Sequence, residues 1–380
     1  MNLIPVNDGK TRKEFLLLPV RLYKDNKNWI RPLDKDIEFV FDAEQNKYFK
    51  NGECERWILQ NDKKQTIGRV AAFIDYRTSE KYDQPTGGMG FFECIDDREA
   101  AFKLFDKCKD WLEERGMEAM DGPINFGERD KWWGLLIDGD YEPNYCVPYN
   151  FPYYRDFFEA YGFDVSYKQF TYRREVKGGL DEKVVARANR IFKNPDYKFC
   201  SIEKIGLDKV AEDFRVTYNK SWVGYSDAKE MSKEQAHALM NNIKPILDRR
   251  LIWFAYYMDQ PIAFAVMLPE INQIVKHFGG RFGIWEKLRF LWYKKTGKCN
   301  KILGVVFGVV PRFQGRGIES ALITAFSKLA YDPKTSFPYK ELEHNWVGDF
   351  NPQMMKVHES IGGTIFKTHA TFRKLFKNNN

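Results

Sequence analysis

No Cys-x-x-Cys pair occurs in this 380-residue chain, and its cysteines, Cys54, Cys94, Cys108, Cys146, Cys200 and Cys299, are scattered. No histidine stands at metal-ligand spacing either, so no metal site is expected. Scattered thiols in a long chain predict a reduced, cytoplasmic protein. Long apolar runs are also missing, and none reaches the roughly 20 residues of a membrane span. The nearest approach, Ile252–Met258 and Ile262–Leu268, is split by Asp259-Gln260-Pro261, which predicts a strand, a turn and a strand. The opening MNLIPVNDGKTRKEF brings charge too early for a signal peptide. Charge of one sign is scarce. Lys and Arg number 60 against 53 Asp and Glu, a net +7 that is too weak to argue for nucleic acid.

What is present is unevenly placed. The length suggests two or three domains, with two favoured. Between Lys276 and Lys301 lie eight cations, Lys276, Arg281, Lys287, Arg289, Lys294, Lys295, Lys298 and Lys301, against the single acid Glu286. That segment carries an excess equal to that of the whole chain. It interleaves Phe278, Phe282, Trp285, Leu288, Phe290, Leu291, Trp292 and Tyr293. Trp285, Leu288, Leu291 and Trp292 recur at helical spacing, with Lys287, Lys294 and Lys295 off the centre of that face. Such a helix suits peripheral contact with an anionic membrane; the alternative is an insertion helix packed on the protein with a solvated basic face. Aromatics make up 16% of the chain, which fits a well-filled core or a greasy groove for a long substrate.

The chain repeats itself. YNFPYYRDFFEAYGFDVSYKQFTYRRE, near Asn150, parallels FNPQMMKVHESIGGTIFKTHATFRKLF, near Asn351. Each runs from Asn through Pro, a helix-length stretch and a Gly to two strand-like runs, ending in Thr171-Tyr172-Arg173 and Thr371-Phe372-Arg373 at an offset of 200. Two copies of one α/β unit follow, at 1–178 and 195–380, joined through the polar stretch Lys177–Lys193. Hairpins are expected around Asn61–Lys64 and Asp259–Pro261. Strands are expected at Phe91–Ile95, Ile302–Val310 and Leu342–Trp346. Helices are expected at Arg98–Glu114, Ala236–Leu251, Ser320–Ala330 and Pro352–Ile361.

One loop carries chemistry. The strand Gly304–Val310 runs into Pro311-Arg312-Phe313-Gln314-Gly315-Arg316-Gly317-Ile318 and then an apolar helix. A helix start offers unpaired N–H groups and partial positive charge. Glycines let the backbone approach an anion closely, and Arg312 and Arg316 add charge. The pattern is neither a Walker loop nor a dinucleotide fingerprint. The bland alternative is an ordinary turn.

The loop resembles that of the GNAT superfamily of N-acyltransferases, roughly Val-x-Pro-x-x-Gln/Arg-x-x-Gly-x-Gly/Ala. Val309, Pro311, Gln314 and Gly317 match, with Gly315 between. The last position, small in the family, is Glu319 here, and a carboxylate there repels a pyrophosphate unless it points away. The resemblance implies two tandem GNAT-like domains, each a mixed twisted sheet flanked by helices. It places Phe307, Val309, Gln314, Gly315, Arg316, Gly317, Ile318 and Asn351 on acyl-CoA or acetyl-CoA as co-substrate. His358 stands seven residues after Asn351, where the family often has a Tyr that protonates the leaving thiolate. The base is expected to be Glu343 or a water it holds, with Glu341 and His344 as rivals, because alternation puts odd and even residues on opposite faces. No metal is implied.

In the first half the corresponding stretch, Glu93 to Arg98, is acidic and lacks glycine, and Asn150 plus seven is Phe157. That half, 1–178, is expected to shape the substrate pocket rather than to bind coenzyme A. Gly122–Gly134 is dense in polar and aromatic residues, and lines a pocket or packs between the halves. Leu18–Tyr23, Trp29–Leu33, Gly68–Ala72 and Gly122–Gly134 look like a narrower bacterial family of tandem GNAT proteins that includes the bacterial ceramide synthases. This resemblance implies direct transfer from acyl-CoA to a primary amine, with a lipidic, sphingoid-type amine among the acceptors it brings in. A small-molecule or peptide N-acetyltransferase and an inactive acyl-CoA-binding protein are the alternatives, with no nucleic-acid partner in any of them.

Overall fold

The structure, a computed structural model, describes residues 1–81, 83–222 and 230–376; residues 377–380 of the second repeat lie outside them. The first repeat comprises strand β1 (Asn2–Pro5), helices α1 (Gly9–Leu22) and α2 (Asp34–Val40), and strands β2 (Gly52–Gln60), β3 (Thr66–Asp75) and β4 (Thr86–Cys94). Helix α3 (Arg98–Glu113) follows, then β5 (Ala119–Gly122), β6 (Leu135–Asp138), α4 (Tyr153–Tyr161) and β7 (Asp164–Glu175). The second repeat opens with α5 (Glu182–Phe192), β8 (Tyr197–Ser201), α6 (Leu207–Trp222) and α7 (Lys233–Ile243). It continues through β9 (Ile252–Tyr257), β10 (Gln260–Pro269), α8 (Asn272–Val275), α9 (Ile284–Lys295) and β11 (Lys301–Val309). It ends with α10 (Ile318–Tyr331), β12 (Glu341–Gly348), α11 (Pro352–Ser360) and β13 (Thr364–Leu375).

Local chemistry accounts for most of these elements. Helix α3 buries Ala101, Leu104, Phe105, Cys108, Trp111 and Leu112 at helical intervals. Strand β9 is covered on both faces. Trp253 and Ala255 enter one core cluster, and Ile252, Phe254 and Tyr256 another, so its sequence is a continuous apolar run rather than an alternation. The helix expected at Ala236–Leu251 stops at Ile243, and a short 3-10 turn at Arg249–Leu251 leads into β9. Lys244 still has helical backbone, and Pro245 accounts for the break because it has no N–H to donate to the Asn241 carbonyl.

One mixed sheet runs through both repeats in the order β1-β2-β3-β4-β5-β13-β7-β12-β11-β10-β9-β8. The last strands are exchanged. β7, from the first repeat, pairs with β12, while β13, from the second, pairs with β5. The two exchanged strands pair with each other, and Gln169 faces His369. These residues are themselves related by the 200-residue offset, so the pseudo-twofold axis passes between them. Trp133 is fully buried at this seam, 4.6 Å from the His369 ring and 5.8 Å from that of Trp346.

Candidate active site

Strands β11 and β12 lie parallel but stay together only from Lys301/Glu341 to Gly304/His344. Beyond this, β11 carries a bulge opposite Val266/Met267, and β12 has one between His344 and Val347. The strands therefore part, and the edge of β11 from Val305 to Val309 has no registered partner on β12. A cavity of about 1690 Å³ occupies the opening. Its walls include Leu322 and Phe326 of α10 on one face of the sheet and Phe214 and Tyr218 of α6 on the other. Those helices belong to different core clusters, so the cavity passes through the sheet. The first repeat supplies Phe73, Gly87, Gly88 and the stretch Ile124–Asp130. Of the two alternatives for Gly122–Gly134, Ile124–Asp130 line the cavity, while Trp133 packs against Trp346 and His369 of the second repeat.

Val309 and residues 314–318 do not line the cavity; in the loop after β11, Gly315 and Gly317 adopt φ of 68° and 87°, a left-handed backbone that only glycine takes without strain. The Gln314 side-chain amide donates to the Val309 carbonyl at 3.0 Å and closes the loop. Gly317 is the N-cap of α10, and no side chain caps the helix, so the first-turn amides of Ile318, Glu319 and Ser320 point outward without an internal acceptor. Arg312 and Arg316 are exposed near the buried Phe313 ring, 4.6 and 6.0 Å from its centre. Helix α5 packs against α10, with Arg187 beside Gly317. Glu319 is half-exposed in the first turn.

The first repeat shows the same frame closed. The N-cap of α3 is Asp97, whose carboxylate accepts from the Glu99 and Ala100 amides at 2.9 and 3.2 Å. This helix start is satisfied by a negative charge of its own. The Tyr154 hydroxyl accepts the Cys94 N–H and donates toward Glu93, which also takes the Tyr23 hydroxyl at 2.8 Å. About 80 Å³ remains in that region. Asn150 is held by the Leu136 backbone, and Phe157 is buried in the core.

Of the acid–base candidates, the structure brings His344 and His358 together and turns Glu343 away. Glu343 is fully buried between Lys301 and Lys367, the latter at 2.9 Å. Burial alone pushes its carboxyl up, but the Lys367 and Lys301 ammonium groups overcome this and hold it below the usual carboxylate range. It does not line the cavity, whereas His344 and His358 do. Glu341 is committed to Arg173 at 2.6 Å. The His344 and His358 rings lie 4.3 Å apart, and Tyr172 stacks on His358 at 4.9 Å. His344 Nε2, His358 Nδ1 and the Tyr172 hydroxyl are buried with no partner among the described residues. Burial, the His358 ring and the Arg174 guanidinium hold His344 well below its ordinary value, and burial pushes His358 down to about 4. Both imidazoles are therefore neutral at neutral pH.

Gly304 makes the arrangement possible, because a Cβ there would stand 2.6 Å from His344 Nδ1. Asn351 lines the cavity and caps α11 by accepting the Met354 N–H at 3.1 Å. Phe307 lines the cavity, Val309 serves through its carbonyl, and Ile318 is buried under the loop. A share of the first repeat in the pocket wall was expected, but Tyr172 and the individual wall residues Phe73, Gly87 and Gly88 were not anticipated from the sequence. They arrive through strand exchange and inter-repeat packing, which leave no local signature.

No family model matches the chain. It is 28% identical to the bacterial ceramide synthase of Caulobacter vibrioides (strain NA1000 / CB15N), over 98% of this chain and 97% of that protein. It is 25% identical to protein YghO of Escherichia coli (strain K12), over 95% and 92%. In fold it resembles a tandem GNAT protein from the clavulanic acid biosynthesis pathway, with a TM-score of 0.56 at 11% identity, covering 100% of this chain and 99% of the other.

Proposed function

We propose that this tandem GNAT N-acyltransferase draws its acyl group from acyl-coenzyme A and passes it to a lipidic primary amine. The observation that carries the reading is the through-sheet cavity, with an uncapped, glycine-flanked helix start at one side and two neutral histidines in its wall. The α10 amides, Arg312 and Arg316 suit a pyrophosphate. The parted strands suit an extended arm, with Phe307 and Asn351 beside it. Coenzyme A, when bound, supplies an activated thioester.

The chain's own groups do the rest. Unpaired β11 amides polarise the carbonyl as charge develops on its oxygen. The amine attacks as the free base, the C–N bond forms, and the nitrogen sheds a proton. Neutral His344 accepts it, and His358, itself uncharged, relays a proton to the departing sulfur as the C–S bond breaks. The products are an amide and a free thiol. The base role passes from Glu343 to His344 because only His344 faces the cavity. His358, at the position of the family's proton-donating Tyr, acts as a relay because burial leaves its ring uncharged.

The size and lining of the cavity favour a long acceptor over a small one. About 1690 Å³ exceeds the roughly 300–1,000 Å³ of a typical small-molecule pocket, and Phe73, Phe126, Phe214, Leu239 and Trp253 are among its walls. The relative named as a ceramide synthase supports the same class of acceptor. Peripheral membrane contact through 275–301 belongs to this reading. Purified protein given acyl-CoAs of graded length and a panel of primary amines should release thiol, fastest with long acyl chains and long-chain amines. No release with any amine would refute the reading. Release with acetyl-CoA alone would point instead to a small-molecule or peptide N-acetyltransferase.

A further inference from the structure

Helix α9 stands outside the catalytic frame and is built in an unusual way. Its packed side is well anchored. Phe290 is buried in the second repeat's core, and the Lys294 ammonium donates to the Pro245 carbonyl at 2.9 Å and the Leu247 carbonyl at 3.3 Å. Tyr293 lies 5.2 Å from the His277 ring, Glu286 takes the Gly283 N–H at 2.8 Å, and the Thr296 hydroxyl closes the end on the Trp292 carbonyl at 3.0 Å. The other side is apolar and bare. Ile284 and Trp285 are each 76% exposed, Leu288 54%, and Leu291 and Trp292 58%. At about 100° per residue these five fall within an arc of about 120°. Lys287 and Lys294 flank the arc on one side and Arg289 on the other, and Lys295 lies at its C-terminal end. Among the described residues, Arg281, Lys287, Lys295 and Lys298 make no ion pair.

A helix fixed from behind, with five bare apolar side chains inside a basic rim, matches the interface of an anionic bilayer. Tryptophans sit at the headgroup level, aliphatic chains enter the acyl boundary, and long cationic side chains reach back to the phosphates. A protein partner would have to bring a complementary acidic groove. A second copy of this chain would set one basic rim against another, so charge favours the lipid. No helix among the described residues is long and apolar enough to cross a membrane, so the contact is peripheral.

We infer that α9 is a docking helix that seats the protein on an anionic membrane surface through Ile284, Trp285, Leu288, Leu291 and Trp292. This deepens the reading of a lipidic acceptor, which would then reach the cavity from a bilayer, but the docking itself does not depend on catalysis.

The test is co-sedimentation of the full chain with vesicles of phosphatidylcholine alone or mixed equally with phosphatidylglycerol, without substrate. The wild type should bind the anionic vesicles at least tenfold more tightly than the neutral ones, and less tightly as salt rises. Trp285→Ser with Trp292→Ser should lose at least tenfold, with an unchanged melting temperature because both side chains are already exposed. Lys287→Glu with Lys295→Glu should remove the preference for anionic lipid. Failure of the wild type to bind, or equal binding by the tryptophan variant, overturns the inference. So does a wild-type dimer in sedimentation velocity that the tryptophan variant converts to monomer, which would make α9 a contact between copies. Thiol release with a short, soluble amine reads the chemistry separately. A chain that turns over that amine but ignores vesicles has lost only the docking inference.

Discussion

Glu343 and His344 are neighbours on β12 and face opposite sides of the sheet, and their surroundings give them opposite tasks. Glu343 offsets two ammonium groups, one of them the fully buried Lys367. Removing one partner of a buried ion cluster leaves uncompensated charge and costs about 3–5 kcal/mol. Glu343→Gln is therefore expected to lower the unfolding free energy by about that much in urea titration. Where that variant is still folded, it should retain most of its thiol-release rate. His344→Ala removes a ring that faces open space, and should lower kcat by about 100-fold with a smaller change in stability. The reverse pattern, a stable but inactive Glu343→Gln and an active His344→Ala, would return the base role to the carboxylate. From the sequence Glu343 was the expected base with His344 as a rival, because alternation separates faces without saying which face opens.

At the scale of elements, α3 and α10 are the same helix used in two ways. Each follows the fourth strand of its repeat and packs over the sheet. One begins at Asp97, whose carboxylate occupies its own amides, and the other at Gly317, which leaves them open. Asp97→Ala should cost about 1 kcal/mol of stability and leave acyl-CoA affinity unchanged. Glu319→Gly should tighten acyl-CoA binding severalfold in calorimetry, because it removes a negative charge from the first turn of the helix proposed to hold phosphate. An unchanged affinity would mean that the Glu319 carboxylate points away from the ligand. These differences were legible in the residues themselves, in Gly against Asp at one helix start and in the glycines of Gln314–Gly317. The parting of β11 from β12 was not, because bulges at Val305 and at Asn345–Trp346 depend on the partner strands and leave no composition of their own.

The whole molecule is two repeats that each complete the other's sheet. Without β13, β5 loses its neighbour on that side; without β7, β12 does. Separate fragments 1–178 and 195–380 should therefore fail to fold alone, showing weak near-ultraviolet dichroism and aggregation, and should recover native signal when refolded together. A fragment that folds cooperatively by itself would show that exchange is dispensable. The same exchange carries Tyr172, a first-repeat residue, onto His358 of the second repeat. The cavity wall is thus shared between halves that the sequence presents as successive.

The repeat, most strand and helix types, the glycine-bearing loop at a helix start and the clustering of cations and aromatics in 275–301 were legible in the sequence alone. Periodicity, glycine placement and charge act over a few residues, and each leaves a local pattern. The strand exchange, the face on which the cavity opens and the placing of His344 rather than Glu343 on the cavity wall were decided only by the tertiary structure. They depend on contacts such as Gln169 with His369 and Glu343 with Lys301 and Lys367. In those contacts, side chains far apart in the chain compete for one buried space, and the outcome is set by which charges and strand edges would otherwise be left unsatisfied.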